Sequence, residues 1–424
     1  MPPLLADRLR GWLARLPRGG LARDTARVAF WQAMRIGGQA AWVVLLARLL
    51  GPQGYGTFVG VAGLATAVGG FTGLGLGLVM LQDVAREPAL FGARWRTALT
   101  VCIGSGVVLA LLFVGLARWV VGPGVPLEVL VALALSELLL FPLVSVAAFA
   151  FSARQRMGIA AALPAVVAVG RVVAALAFGW LTPQRTLQAY VAFHTGTMLL
   201  CAGLAWAWVR LALKPSPEPF RLTKRELGEG LGFSVVWMVG NALFSLDKTL
   251  VLRLAGAEIA GLYAVTYRFA AVLALPVDAL TMAAGPRLFR HGGGTQRQPG
   301  LIPRLVISAL LYTLVAGMAL WVMTGVLPWL LGPGFRPAVA AARWMALFVP
   351  CYGLRLLGSN VLMASDCKTL RAAIEGCGLV VLVLLAFCWL PAYGLTGAVA
   401  MICVTEGLLA LAVWTVIWRR RIHA

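Results

Sequence analysis

Apolar runs of about twenty residues recur along the whole chain, each closed by a short break of polar residues, glycine or proline. That length is what an α-helix needs to cross the hydrocarbon core of a bilayer. Twelve such runs are predicted, at 28–50, 56–81, 97–117, 126–150, 158–180, 187–209, 231–252, 261–284, 305–327, 338–364, 372–391 and 396–418. The shorter alternating segments of a membrane β-barrel do not occur. The predicted fold class is therefore an all-α polytopic membrane protein.

Two short stretches of the pattern repeat. Arg48-Leu49-Leu50-Gly51, followed by Gly56 and Phe58, matches Arg253-Leu254-Ala255-Gly256, followed by Gly261 and Tyr263, at a constant offset of 205 residues. Each copy joins an odd-numbered span to the next even one. Six spans separate the copies, so both have the same orientation, as in a parallel repeat about an axis along the membrane normal. The expected organisation is a surface segment at 1–27, a six-helix lobe at 28–210, a linker at 211–230, a second six-helix lobe at 231–418 and a basic tail at 419–424. In the surface segment Leu5, Leu9, Trp12, Leu13 and Leu16 recur at helical spacing among arginines, which suits a helix lying on the membrane. Those arginines also break up any core of a cleavable signal. The linker, LALKPSPEPFRLTKRELGEG, carries three prolines and is expected to end in a short amphipathic helix. The Gly- and Gln-rich stretch His291 to Gly300 reads as a flexible loop.

Composition supports the membrane class. The chain is 61% hydrophobic and 12% charged, whereas soluble domains are about a quarter charged. A net charge of +21 raises the question of nucleic acid, but the distribution answers it. Of the 36 Lys and Arg, 25 fall in the N-terminal segment, the loops after even-numbered spans and the C-terminal tail, against five in the opposite loops. This is the positive-inside bias, and it predicts that both termini are cytoplasmic. Seven cysteines without a CxxC pair, several of them inside apolar runs, read as small buried residues. The three histidines are too scattered for a metal site.

Charged side chains inside a membrane are costly and mostly face a wet cavity or a partner. Span 7 carries Trp237, Asn241, Phe244 and Lys248 on one helical face, and span 1 carries Trp31, Arg35, Gly38 and Trp42 at the same spacing, with Gln39 beside them. Two facing stripes that mix aromatics with cations and amides suit a sugar ring and an anionic head-group. Anchoring at the two membrane surfaces is the other reading of the same residues. Arg268 in span 8, preceded by Tyr263 and Tyr267, either lines the cavity or snorkels outward. Asp247 is either a proton-linked carboxylate or a counter-ion to Lys248, and Asp278 lies deeper in span 8. Glu137 and Arg171 lie at comparable depth in neighbouring spans and suit a buried pair. Glu406 and Arg355 are candidates for another. Pro164, Pro276 and Pro350 mark sites where helices are expected to bend. No GxSxG, HExxH or P-loop is present.

The segments ARLLGPQGYGTF, FTGLGLG, FSARQRMG, SLDKTLVLRLAGAEIAGLYAVTYR, GPRL and PAYGLTGAVA, in this order, resemble the polysaccharide (O-antigen type) flippases. These are a family of the multidrug/oligosaccharidyl-lipid/polysaccharide (MOP) exporter superfamily. The resemblance runs from about Gln32 to Trp418. It implies a two-lobed transporter of the bacterial inner membrane that turns an undecaprenyl-pyrophosphate-linked oligosaccharide between leaflets by alternating access. Spans 1, 2, 7 and 8 would line its cavity. On this view Arg35 receives the pyrophosphate near the inner leaflet, and Lys248 and Arg268 hold it nearer the outer one. Gln39, Trp237, Asn241, Arg171 and Arg355 complete the candidate substrate contacts. Asp247, Asp278, Glu137 and Glu406 are candidates for H+ or Na+ coupling. No cofactor, metal or nucleic acid is expected; the partners are the lipid-linked substrate, membrane lipids and glycan-assembly membrane proteins. An ion-coupled drug antiporter of the same superfamily is the rival reading. A glycan polymerase or ligase is a more distant one, since it needs a large external loop and the outer loops here are short.

Overall fold

The computed structural model describes residues 20–290, 301–364 and 367–422. Among these the ordered elements are all helical. Nine helices are long and apolar enough to cross a membrane, or ten when a pair bent by 42° counts as one span. Two of them are each two passages merged across a glycine, Gly51 and Gly394, which brings the passages to twelve. They are α1 (20–50), α2 (52–86), α3 (Phe91–Val121), α4 (Leu127–Ala153), α5 (Met157–Leu181), α6 (Leu187–Leu213), α7 (Lys224–Ala255), α8 (Ala257–Leu273, continuing as Leu275–Arg290), α9 (Ile302–Leu331), α10 (Ala338–Met345 and Phe348–Ala364), α11 (368–393) and α12 (395–422). The chain is a multi-pass membrane protein built from two pseudo-symmetric six-helix lobes.

The repeat read from the sequence has a matching backbone. Gly51 turns the chain from α1 to α2 at φ 67°, ψ −179°, and Gly256 turns it from α7 to α8 at φ 93°, ψ 168°. Only glycine adopts such angles without strain. Just past these turns the lobes cross. A Cβ on Gly56 would strike the Ala257 carbonyl and the Gly261 amide, and a Cβ on Gly261 would strike the Pro52 carbonyl. Pro52 and Ala257 are themselves equivalent by the 205-residue offset, so the contact is reciprocal. The seam continues along α2 and α7: Gly60 sits against Leu252, Gly63 against the Ser245 carbonyl and Gly70 against Met238. Thr249 Oγ1 donates to the Gly60 carbonyl at 2.7 Å across it.

The buried apolar side chains divide unevenly. At the glycine-turn end one cluster contains residues of both lobes, among them Tyr55, Phe58, Phe178, Tyr263, Phe335 and Phe348. At the arginine-rich end each lobe has its own. One joins Leu76, Trp95, Phe151 and Val209; the others join Val277 with Leu357 and Val361 with Val413. The lobes therefore share one core at the glycine-turn end and keep separate cores at the other, where the start of α7, through Gly230 and Phe233, still packs on the first lobe.

Several helix boundaries differ from expectation. The first helix begins at Gly20, before the expected start of span 1, while the rest of the surface segment and the loop 291–300 lie outside the described residues. Span 2 is not continuous. Its GGFTGLG segment unwinds at Gly69–Gly75, with Gly73, Leu74 and Gly75 at positive φ. Five glycines in nine residues, 69 to 77, make helix costly there. The freed backbone is partly satisfied from the side: Gly73 N–H donates to Ser105 Oγ at 2.8 Å, and Thr72 Oγ1 donates to the Leu138 carbonyl at 3.2 Å. That carbonyl belongs to a π-helical turn, Leu135–Leu140, inside α4. The linker is extended only between Leu213 and Lys224; its final turns are the start of α7, capped by the reciprocal Thr223–Glu226 pair. Arg94 binds both Asp83 and Glu226, tying α2 and α3 to the start of α7. Pro164 sits in an unbroken α5, α8 breaks at Ala274 just before Pro276, and α10 bends at 346–347, before Pro350.

Candidate functional site

Between the lobes lies a cavity of about 310 Å³. Trp42 of α1, Tyr55, Phe58 and Thr66 of α2, Glu137 of α4 and Arg171 of α5 line one side. Phe244 and Lys248 of α7, Tyr267 and Arg268 of α8 and Tyr352 of α10 line the other. A second cavity lies beside the unwound segment of α2 and is lined by Thr72, Gly73, Glu137, Phe149, Trp237 and Asn241. Thr66 and Glu137 line both, so the first, upper cavity toward the glycine turns and the second, lower one adjoin along α2 and α7.

Three cations face the upper cavity, and they differ in how far they are already engaged. Lys248 Nζ donates to the Phe244 carbonyl at 2.7 Å and to both carboxylate oxygens of Asp247 at 2.9 Å. An ammonium has three donors, so none is spare. Its charge also rests over the Tyr267 ring, 3.6 Å from the centroid. Asp247 is fully buried and takes a further hydrogen bond from the Tyr263 hydroxyl at 2.6 Å. Arg171 gives Nη2 to Glu137 Oε1 at 2.7 Å and lies over Trp42, 5.1 Å from the ring centroid, but its Nε has no partner. Arg268 sits next to the Tyr55 hydroxyl and faces no carboxylate among the described residues. Of the three, Arg268 and Arg171 are the cations not wholly engaged by protein acceptors.

Behind Arg171 lies a buried polar relay. The Trp42 indole N–H can only donate, and it does so to the Tyr190 hydroxyl at 2.7 Å. Tyr190 must then send its own hydrogen elsewhere, and His194 Nδ1 stands 3.5 Å away. When Tyr190 donates to Nδ1 the imidazole proton is on Nε2, which stands 3.4 Å from Glu137 Oε1. Glu137 thus stands between the Arg171 guanidinium and the His194 ring.

The remaining predicted residues are placed as follows. Trp237, half exposed, packs edge-on against Phe149 at 6.3 Å, and Asn241 lies beside it in the lower cavity. Span 1 does not set its stripe opposite that of span 7. Gly38 packs on Ala168 of α5, only Trp42 reaches a cavity, Gln39 is half-buried, and Arg35 is exposed and lines neither cavity. The physical reason is that α1 spends its small-residue face on α5. Arg355 also lines neither of these two cavities. It is fully buried, paired with Glu406 and 3.9 Å from Glu375, and it lies beneath the rings of Phe244 and Tyr352. Asp278 is half-buried past the break in α8 and lines neither cavity. Residues that sequence reasoning missed are Tyr55, Tyr267, Thr66, Tyr190 and His194. A signal existed for the last two, since Tyr190 and His194 share a helical face within an apolar run.

A family model described as "Polysaccharide biosynthesis protein" matches residues 27–291. No curated protein sequence matches. Among solved structures, the chain superimposes on an inward-facing conformation of a multidrug resistance MATE family transporter of the MOP superfamily with a TM-score of 0.73 at 12% identity, covering 93% of this chain and 98% of that one. An outward-facing conformation of a MATE family transporter of that superfamily gives 0.63 at 13% identity, covering 96% and 97%. A MOP superfamily transporter from Pyrococcus furiosus, described by a reverse polarity of its binding pocket that suggests a different function, also gives 0.63 at 13%, with the same coverage. At these identities the likeness shows the fold.

Proposed function

The chain belongs to the polysaccharide biosynthesis protein family, and from that membership and the cavity we propose that it is a flippase for a lipid-linked oligosaccharide. The substrate class is an undecaprenyl-pyrophosphate-linked glycan unit, passed across the bacterial inner membrane by alternating access with both termini cytoplasmic. The observation that carries this reading is a cavity lined by the cations Arg268 and Arg171 together with aromatic walls from Trp42, Tyr55, Tyr267 and Tyr352. Planar cations match phosphate oxygens, and aromatic faces cover sugars. The prenyl tail has no need of the cavity and stays in lipid.

The rival, a pump for cationic drugs, needs a carboxylate free to receive a cation. Glu137, Asp247 and Glu406 are instead each engaged by Arg171, Lys248 and Arg355. The reversed pocket polarity attributed to the Pyrococcus furiosus transporter gives a precedent for departure from drug binding within this fold. Of the four candidate coupling carboxylates, Glu137 lines both cavities, and it would accept H+ or Na+ only when a substrate phosphate draws Arg171 away from it. The test is complementation of a flippase-deficient strain alongside a drug-susceptibility panel in an efflux-deficient host. Restored surface glycan with unchanged drug tolerance supports the flippase; the opposite pair of results transfers the assignment to the antiporter.

A further inference from the structure

A third cavity, of about 250 Å³, lies away from the interlobe path, at the arginine-rich end of the first lobe. Its rim carries Arg96 from α3, Arg210 from α6 and Lys214 from the connector between the lobes. All three are exposed, and none has a carboxylate partner among the described residues. Four neighbouring arginines at this end are otherwise engaged. Arg94 is held by Asp83 and Glu226, Arg225 by Glu229, Arg154 by the Pro88 carbonyl and Arg156 by the Ala212 carbonyl. Glu218, on the same rim, opposes only one of the three charges.

The cup is built rather than formed by a loose loop. Lys214 turns at φ 44°, prolines stiffen positions 215 and 217, and Thr97 Oγ1 donates to the Arg221 carbonyl at 2.8 Å. Gly92 lies so close beneath Ser216 that a Cβ there would collide with it. Trp95 is buried in the floor, while Trp206 is 44% exposed with the Arg210 guanidinium 4.8 Å over its ring. Indole rings beside cations mark the level of lipid head-groups. From the cup, α3 leads into the membrane past Ile103 and Val107, each 43% exposed.

We propose that this cup binds the phosphate head-group of an anionic glycerophospholipid from the leaflet at the arginine-rich end, with the acyl chains lying along α3. Three cations from two helices and the connector converge on one phosphate, and the apolar strip accepts the tails. The bound lipid ties the connector to the first lobe. This site is independent of the transported substrate and stands or falls separately from the flippase reading.

The experiment is native mass spectrometry of the purified full chain with phosphatidylglycerol, cardiolipin or phosphatidylethanolamine. The wild type is expected to retain one anionic lipid in preference to phosphatidylethanolamine. The R96Q/R210Q/K214Q variant loses that preference, by on the order of fivefold per charge removed. A control variant, R86Q/R304Q/R419Q, removes the same charge elsewhere at that end and keeps the preference. Equal retention of all lipids by the wild type, or equal loss in both variants, overturns the proposal. Displacement of the lipid by millimolar inorganic phosphate also overturns it, in favour of a free-anion site. Should the triple variant not accumulate, R96Q alone reads the same preference on an exposed side chain.

Discussion

Gly56 of α2 and Gly261 of α8 occupy equivalent positions in the two lobes, and each is pressed against the backbone of the other lobe. Neither has room for a methyl group, so the lobes meet here only while both residues are glycine. Gly56→Ala and Gly261→Ala are expected to penalise the closed end by about 1–3 kcal/mol each, the usual cost of overpacking. A single cysteine at Ser245, beside the upper cavity, should then react faster with an impermeant maleimide added from the glycine-turn side. Unchanged labelling in both variants contradicts the assignment of this contact as the seal.

Arg268 offers the cavity a cation with no carboxylate among the described residues to compete for it. Arg268→Ala should lower glycan output at least tenfold with normal protein levels, consistent with loss of a charge-assisted contact worth about 1.5–3 kcal/mol. Arg35→Ala, outside both cavities, should keep more than half of wild-type output. Reversal of this order, scored by complementation with expression checked, moves the anion site to α1.

Arg355 and Glu406 form a buried pair beneath Tyr352 and Phe244. Removing one partner strands the other, at a cost of about 3–5 kcal/mol, whereas replacing both by apolar residues is often neutral or stabilising. Arg355→Met should therefore lower the melting temperature in detergent sharply, and the R355M/E406L double variant should recover most of it. A double variant no better than the single one argues that Arg355 has a role beyond the pair.

A relay running from Trp42 through Tyr190 to His194 Nδ1 requires the His194 proton to be on Nε2. Nitrogen-15 shifts of histidine-labelled protein should report that tautomer. Tyr190→Phe removes both the acceptor for Trp42 and the donor to His194, and a loss of about 1–3 kcal/mol is expected for buried groups left unpaired. A proton found on Nδ1 breaks the chain of donors at Tyr190.

Much of the architecture was legible because membrane insertion writes it into the sequence. Apolar run length gave the twelve passages, and the offset between Gly51 and Gly256 led to two turns of nearly identical backbone angles. The site was less legible. Helical spacing correctly grouped Trp237, Asn241, Phe244 and Lys248 along one helix, but it cannot tell which neighbour a helix face meets. Thus the span 1 stripe, equal in pattern, turned out to pack on α5 through Gly38. Nor does a charge in an apolar run reveal whether its donors are spent. Lys248 and Arg268 look alike in sequence, yet Lys248 has all three donors committed to Asp247 and the Phe244 carbonyl. The unwinding of α2 was hidden inside an apolar run that hydropathy scores as continuous.

That interruption at Gly69–Gly75 turns α2 into two rigid rods with a swivel between them. The rod beyond it, Leu76–Arg86, packs in the first lobe through Gly77 on Phe149, and the joint itself closes on α7 at Gly230, while the rod before it runs against the second lobe along Gly56, Gly60 and Gly63. A change of angle between the two rods would fall at this joint rather than within either helix. The swivel lies on the wall of the cavity that holds Glu137, so cargo seated there would press on the joint itself.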